Sequence, residues 1–472
     1  FGNSLTYSYN GNRLAAIMAS DGRRLDVGYL TNTDRIGTVS VTPASGPART
    51  WSYQYSTALI PLLSKVTLPD GSAWSYDLAG LRTGEIRIGE GDCDGLGGLS
   101  TNVPSGSMVH PSGLSGTFRV APVARGRSYV PRQCMKNADD SSYAYTPRVY
   151  AAFAITQKTF SGAGLPTHSW SYSYSPANAS WLQDCAAGCI STVWTDVVDP
   201  DGHATHHTFS NRFDETEGQL RQVDDYSGAV GTTLLRSETS LYAASTAGPW
   251  PSVHGDNLQS RMNWAVVGRQ MPLNLRTITQ DGDTYTWQAE AFNAFAQVTQ
   301  TKRFNSMAGQ RAVQEQTTYL NDLPHWVLGL PTQTKNLTTG EVVDQYVYDL
   351  ARVTLQERWR FGQKLMSYTF NSAGQLASFT DGNTKTTSLG NYKRGIPQTI
   401  SYPDSTSQSL VVDDFGQITS ITDQAGSITS YSYDAVGRLT GITYPTGDEQ
   451  AWLPKTFSYS YVTGAERGLP AN

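Results

Sequence analysis

The sequence predicts an all-β fold in which β-hairpins are arrayed along one continuous, curved antiparallel sheet. A repeat period, a two-residue alternation and a turn-rich composition predict it. Gly374, Gly395, Gly416 and Gly437 stand twenty-one residues apart, and their surroundings repeat with them. Two positions later come Leu376, Pro397, Ile418 and Leu439, and five later Phe379, Ile400, Ile421 and Ile442. A fixed period of this length means one supersecondary unit copied along the chain. The composition agrees: 26 Tyr, 11 Trp and 14 Phe suit pleated, half-buried surfaces, while 44 Gly and 22 Pro supply turns between short strands.

The best-preserved unit runs from Tyr431 to Gly447. Tyr431 and Tyr433 alternate with serines, and Leu439, Ile442 and Tyr444 continue an apolar face, which is strand periodicity. Between these strands lies Asp434-Ala435-Val436-Gly437. Aspartate can accept from its own backbone two residues on, and glycine tolerates the positive φ that closes the turn, so the segment reads as a hairpin connection. Pro445 to Gly447 turns the chain into the next unit. Asp349, Asp381, Asp404, Asp423 and Asp434 are read as turn formers in the same way. No heptads, long amphipathic helix or membrane-length apolar run occurs in the sequence.

With these residues in view the chain resembles the tyrosine-aspartate (YD) repeats of bacterial Rhs proteins, wall-associated proteins, the C component of Tc toxins and the animal teneurins. Tyr433-Asp434 with Gly437-Arg438-Leu439, Tyr7 to Leu14, Tyr346 to Asp349 and Phe370 to Gly374 carry the resemblance. Weaker copies are Ser75 to Gly80 and Phe292 to Phe295. Returns between units recur as Asp21-Gly22, Pro69-Asp70-Gly71, Asp199 to Gly202 and Asp381-Gly382. The resemblance implies a β-strand spiral wound round a hollow interior. Further segments, His110 to Gly113 with Arg125 to Pro131 and Thr167 to Trp181, resemble wall-associated and Rhs-like proteins and favour the bacterial branch.

Three intervals are expected in the 472 residues: a repeat segment at 1–84, an irregular insertion with strands at 85–227, and a repeat segment at 228–472, its period clearest at 370–447. The insertion holds every cysteine, Cys93, Cys134, Cys185 and Cys189. An even count in loops that bury little apolar surface reads as stapling, and Cys93 with Cys134 and Cys185 with Cys189 is the expected choice among three connectivities. Disulfides imply an oxidising compartment, the periplasm or the cell exterior. Both ends look cut: Phe1 enters a repeat at once, and Thr463 to Asn472 carries neither the aspartates of the self-cleaving core segment that the resemblance implies nor a toxin domain.

Metal and cofactor sites are not expected. Cys185 and Cys189 have the wrong spacing for a zinc knuckle, and on a strand His206 faces away from His203 and His207. Asp92-Cys93-Asp94-Gly95 lacks the third Asp or Asn and the twelfth-position Glu of a calcium loop. No Gly-x-Ser-x-Gly elbow, His-Glu-x-x-His helix or phosphate loop is present, so no enzymatic activity is expected. A formal net charge of −5 argues against a general nucleic-acid binder, and Arg119, Arg125, Arg127 and Arg132 read as local ion pairs or a solvated loop.

The expectation is a non-catalytic, secreted or cell-surface shell segment enclosing or carrying attached polypeptide, such as a C-terminal toxin, its partners being the rest of its own chain. One alternative is a surface module binding cell-wall glycans by stacking on Trp170, Trp181, Trp194, Trp250, Trp264 and Trp287, although strand aromatics more often pack inward. A polysaccharide-cleaving enzyme is a second alternative, and it requires a deep carboxylate-lined groove.

Overall fold

The structure, a computed structural model, describes residues 4–83, 93, 96, 98–136, 142–162, 165–253, 269–447 and 452–459. Trp264, Asp92, Asp94 and both chain ends lie outside them. One sheet of 31 strands runs from Leu5–Asn10 to Lys455–Thr456. Each strand pairs antiparallel with the next in sequence, apart from one step where Ser115–Gly126 pairs with Val149–Gly162 around a separate hairpin, Cys134–Lys136 with Ser142–Ala144. No described helix is long and apolar enough to cross a membrane.

A meander has two edges, and this sequence gives them different turns. On the motif edge the turn opens with Asp or Asn, whose side chain closes five residues on itself. Asp434 Oδ1 accepts the N–H groups of Val436 at 3.0 Å and Arg438 at 2.9 Å, and Asp413 and Asn371 do the same for their own turns. Gly374, Gly416 and Gly437 take the positive φ three residues after it. Gly395 keeps the period with different local chemistry: Asn391 has slid into the strand Thr386–Lys393, and Arg394-Gly395 forms a two-residue turn with both φ positive. The other, return edge carries Asp21-Gly22, Asp70-Gly71, Asp199 to Gly202 and Asp423 to Gly426.

The tyrosine that precedes the Asp434 turn acts across to the neighbouring strand. The Tyr433 hydroxyl donates to the Ile418 carbonyl at 2.7 Å, where the neighbouring strand leaves its own turn. The same bond recurs from Tyr29, Tyr55, Tyr174, Tyr319, Tyr348, Tyr392 and Tyr459 to the strand before each. These latches fasten one hairpin to the preceding one. Tyr433→Phe is expected to cost about 1 kcal/mol, the net worth of one such bond, measured by urea unfolding against the wild type.

One face of the sheet is apolar. Phe379, Leu389, Ile400, Leu410, Ile421, Tyr431 and Ile442 occupy it at half-buried positions, and the opposite face shows Thr369, Ser388, Thr399, Ser409 and Ser430 to solvent. Strands pack only against their hydrogen-bonded neighbours, so no second layer covers the apolar face among the described residues.

Among the described residues the longest irregular stretches lie on the motif edge. Consecutive insertions at 78–104, 127–148, 175–191 and 211–219 leave this edge while the strands between them continue the sheet through 85–227. Each contributes to one cluster: Cys93, Val130 with Ala144, Trp181, and Phe213, all buried. Backbone bonds cross between insertions, from Ser128 N–H to the Asn211 carbonyl at 2.8 Å and from Leu182 N–H to the Val130 carbonyl at 2.8 Å. Gly126 is required where they converge, because a Cβ there would lie 2.0 Å from the Ala177 carbonyl oxygen. Cys93 is bonded to Cys134 and Cys185 to Cys189, the first joining two insertions 41 residues apart. This knob is the fold's one compact core of large side chains among the described residues.

Candidate functional site

Charged side chains beside the turn glycines bring the two ends of the sheet together. Arg394, on the motif edge, places its guanidinium 2.5 Å from the Asp21 carboxylate on the return edge, and its Nε donates to the Asp414 carbonyl at 2.8 Å. The Ser45 hydroxyl donates to the Asp414 carboxylate. Arg49 reaches Gln417 at 2.9 Å and lies 3.8 Å over the Phe415 ring. Arg438 holds its own turn through Asp434 at 2.6 Å and crosses to Asp70 at 3.0 Å. Gly437 is needed for its φ of +93, and it lies against the side-chain ends of Gln417 and Arg49.

These contacts form a seam with a constant step. The turns at Asp21, Ser45 and Asp70 meet those at Arg394, Asp414 and Arg438, and in each case twenty-three described strands of the sheet separate the partners. The return edge of the first winding thus sits on the motif edge of the next. The sheet does not close by backbone pairing into a barrel; it passes itself and is joined by side chains, which is a spiral. At about 4.8 Å per strand, one winding is about 110 Å round and about 35 Å across, leaving a lumen of about 25 Å after side chains.

Two charged pairs cross the seam, each from a motif-edge arginine to a return-edge aspartate. The Arg394 side chain is 8% exposed and the Asp414 side chain 11%. Hydrogen bonds from Ser45 and then Lys393 hold the Asp414 carboxyl down to about 2. Asp21 is lowered by Arg23 and further by Arg394, and Asp70 by Ser72 and further by Arg438. The signal was present in the sequence: arginine adjoins the motif-edge glycines in Arg394-Gly395 and Gly437-Arg438, and aspartate precedes the return-edge glycines in Asp21-Gly22 and Asp70-Gly71. Only the spiral pairs them, so sequence reading assigned these residues to turns alone.

The remaining candidates are dispersed. Trp181 and Trp250 are buried, Trp181 in the knob beneath Arg148 and Trp250 against Phe292, so neither presents a ring to a ligand. Trp170 lies under Lys158 at 4.2 Å, Trp194 is 5.5 Å from His206, and Trp287 lines a wall cavity. His206 bonds Asp196 at 2.5 Å on one face while His207 stacks on Phe209 on the other. Asp199, Asp201 and His203 approach one another on an exposed return-edge turn, where Asp199 Oδ1 accepts the N–H groups of Asp201 and His203. Arg127 pairs with Glu217 at 2.6 Å, Arg125 covers Tyr174 at 4.3 Å and Arg132 packs 6.0 Å from the Trp181 ring.

Among solved structures, the crystal structure of TcdB2-TccC3-Cdc42 aligns with 94% of this chain and 23% of its own at 12% identity and a TM-score of 0.40. The Photorhabdus luminescens Tc holotoxin pore with a TccC3 mutation aligns over the same shares at 12% identity and a TM-score of 0.39. The chain therefore spans less than a quarter of the length of these structures. A search of curated proteins finds no match. Residues 412–449 match the family described as RHS repeat. That stretch holds the Asp413 and Asp434 turns and the Tyr433 latch, so the likeness to the RHS repeat is shown for these residues, and the same turn and latch geometry recurs along the sheet from Tyr29 to Tyr459.

Proposed function

We propose that this chain is one and a part windings of a YD-repeat shell whose work is to enclose a polypeptide attached to it. The observation that carries this reading is the seam: side chains of opposite charge on opposite edges hold successive windings together and leave a lumen with a half-apolar wall. The size limits what can be held. A folded 100-residue domain has a radius of gyration of about 13 Å and a diameter of about 34 Å, more than the lumen of about 25 Å, so the passenger is held unfolded or extended. A concave apolar wall suits such a chain, whose exposed side chains would otherwise aggregate. The family resemblance implies a toxin as passenger. Both disulfides support an extracytoplasmic location.

The test is protection. An unstructured, protease-sensitive tag fused after Asn472 is expected to be cut about tenfold more slowly on the intact chain than on one whose seam is opened by Arg394→Glu with Arg438→Glu, because cleavage follows the open population. Equal cutting rates on the two chains would overturn the reading.

A further inference from the structure

A cavity of about 600 Å³ opens among the strands Leu273–Gln280, Asp283–Phe292, Val298–Asn305 and Val313–Asp322. Register places Arg276, Trp287, Arg303 and Val313 in one cross-strand row, and Tyr285 and Asn305 in the next. Val313 and the latch residue Tyr319 are an even number of residues apart on one strand, so the row lies on the face that carries the latch tyrosines. Tyr285 is 43% exposed, offering an aromatic ring beside Trp287.

The charge in this cavity is uncompensated. Arg276 is paired with Glu238 at 2.5 Å and Arg303 with Glu315. Arg311 also lines the cavity, is exposed, and engages no carboxylate among the described residues. Three guanidiniums face two carboxylates, in a chain whose formal net charge is −5. A guanidinium fork matches a carboxylate in two parallel bonds, and flanking aromatic rings take an apolar or planar group.

We propose that this cavity is an anchoring site for an acidic, extended peptide, with Arg311 receiving a carboxylate and Trp287 and Tyr285 receiving the side chain beside it. The proposal rests on the enclosure reading, which takes the face with the latch tyrosines as the one that lines the shell. Glutamate or aspartate spaced along an unfolded passenger meets both requirements, and the anchor keeps that segment against the wall.

The test adds to the full chain an acetylated, amidated, fluorescent peptide of one tyrosine flanked by glutamates, its glutamine counterpart, and a tetra-uronate oligosaccharide. Fluorescence anisotropy is expected to show the glutamate peptide binding, weakening with added salt and weakening about fivefold in Arg311→Gln, an exposed change that leaves the fold intact. The glutamine peptide is expected to bind more weakly. Equal affinity for the two peptides, indifference to Arg311→Gln, binding of the uronate alone or no binding at all would each overturn the proposal. The peptide comes from outside, so the two readings fail separately: no peptide binding on a chain that still protects its tag removes only the anchor, and peptide binding on a chain that does not protect removes only the enclosure.

Discussion

Trp181→Ala is expected to lower the stability of the motif-edge knob by about 4 kcal/mol, the largest effect of any single side chain in this fold. Trp181 is 3% exposed and sits where the insertions meet, with Val130, Ala144 and Phe213 around it and the Arg148 guanidinium 5.0 Å from its ring. Alanine would leave a void that the knob cannot collapse into, because backbone bonds from Ser128, Val130 and Phe213 fix the insertions to one another and Cys93–Cys134 fixes two of them covalently. The loss should be local. An array is stabilised mainly by nearest neighbours, so hydrogen exchange is expected to accelerate across 127–136, 175–191 and 211–219 while the strands from Leu376 to Thr443 keep their protection. Trp170→Ala gives the contrast. That ring is half-buried with Lys158 over it, and its loss is expected to cost about 1 kcal/mol.

The second large effect is on shape. Arg394→Glu with Arg438→Glu puts carboxylates against Asp21, Asp414, Asp70 and Asp434, replacing attraction by repulsion at two of the three turn pairs. The strands keep their ladders, so far-UV circular dichroism is expected to stay unchanged while X-ray scattering shows a larger radius of gyration. Acid should reach the same state without mutation. A carboxyl held at about 2 against an ordinary 3.8 favours the joined seam at every pH above the ordinary value and loses that contribution as pH falls from 3.8 towards 2. Asp21 and Asp70 are lowered chiefly within their own turns, by Arg23 and Ser72, and Arg394 and Arg438 add to this across the seam, so protonating these two carboxyls weakens the seam in the same direction of pH. Expansion on raising pH instead would contradict the assignment of these carboxylates to the seam.

Much of the architecture was legible because its determinants are local. An aspartate that accepts two backbone N–H groups within five residues, and a glycine that supplies the positive φ, act through atoms close in sequence, so Asp413 to Gly416 and Asp434 to Gly437 announce their turns. The tyrosine was legible as a strand residue but not as a latch, because its target carbonyl belongs to another strand. Strands were expected within the irregular interval, but their continuity with the main sheet was not read: the residues that break the pattern gather at the motif edge, where insertions lengthen turns without interrupting pairing, as between Thr192–Val198 and its neighbour Ala204–Ser210. The seam was least legible. Arg394 and Asp21 meet only because twenty-three strands, at the curvature this sheet adopts, bring the edge round by one winding, and no local pattern encodes that sum.

That curvature is the central claim, and one cross-link measures it. The native cysteines are all bonded, so Ser45→Cys with Asp414→Cys introduces the two free thiols of the chain at positions whose side chains are in contact. Mild oxidation of the dilute protein is expected to join them within one molecule, seen as faster migration on a non-reducing gel and as the peptide pair containing both positions in mass spectrometry. Loss of this product in the Arg394→Glu, Arg438→Glu background would tie it to the seam. Monomer that never forms the bond, or forms it only between molecules, would show that the sheet does not return on itself.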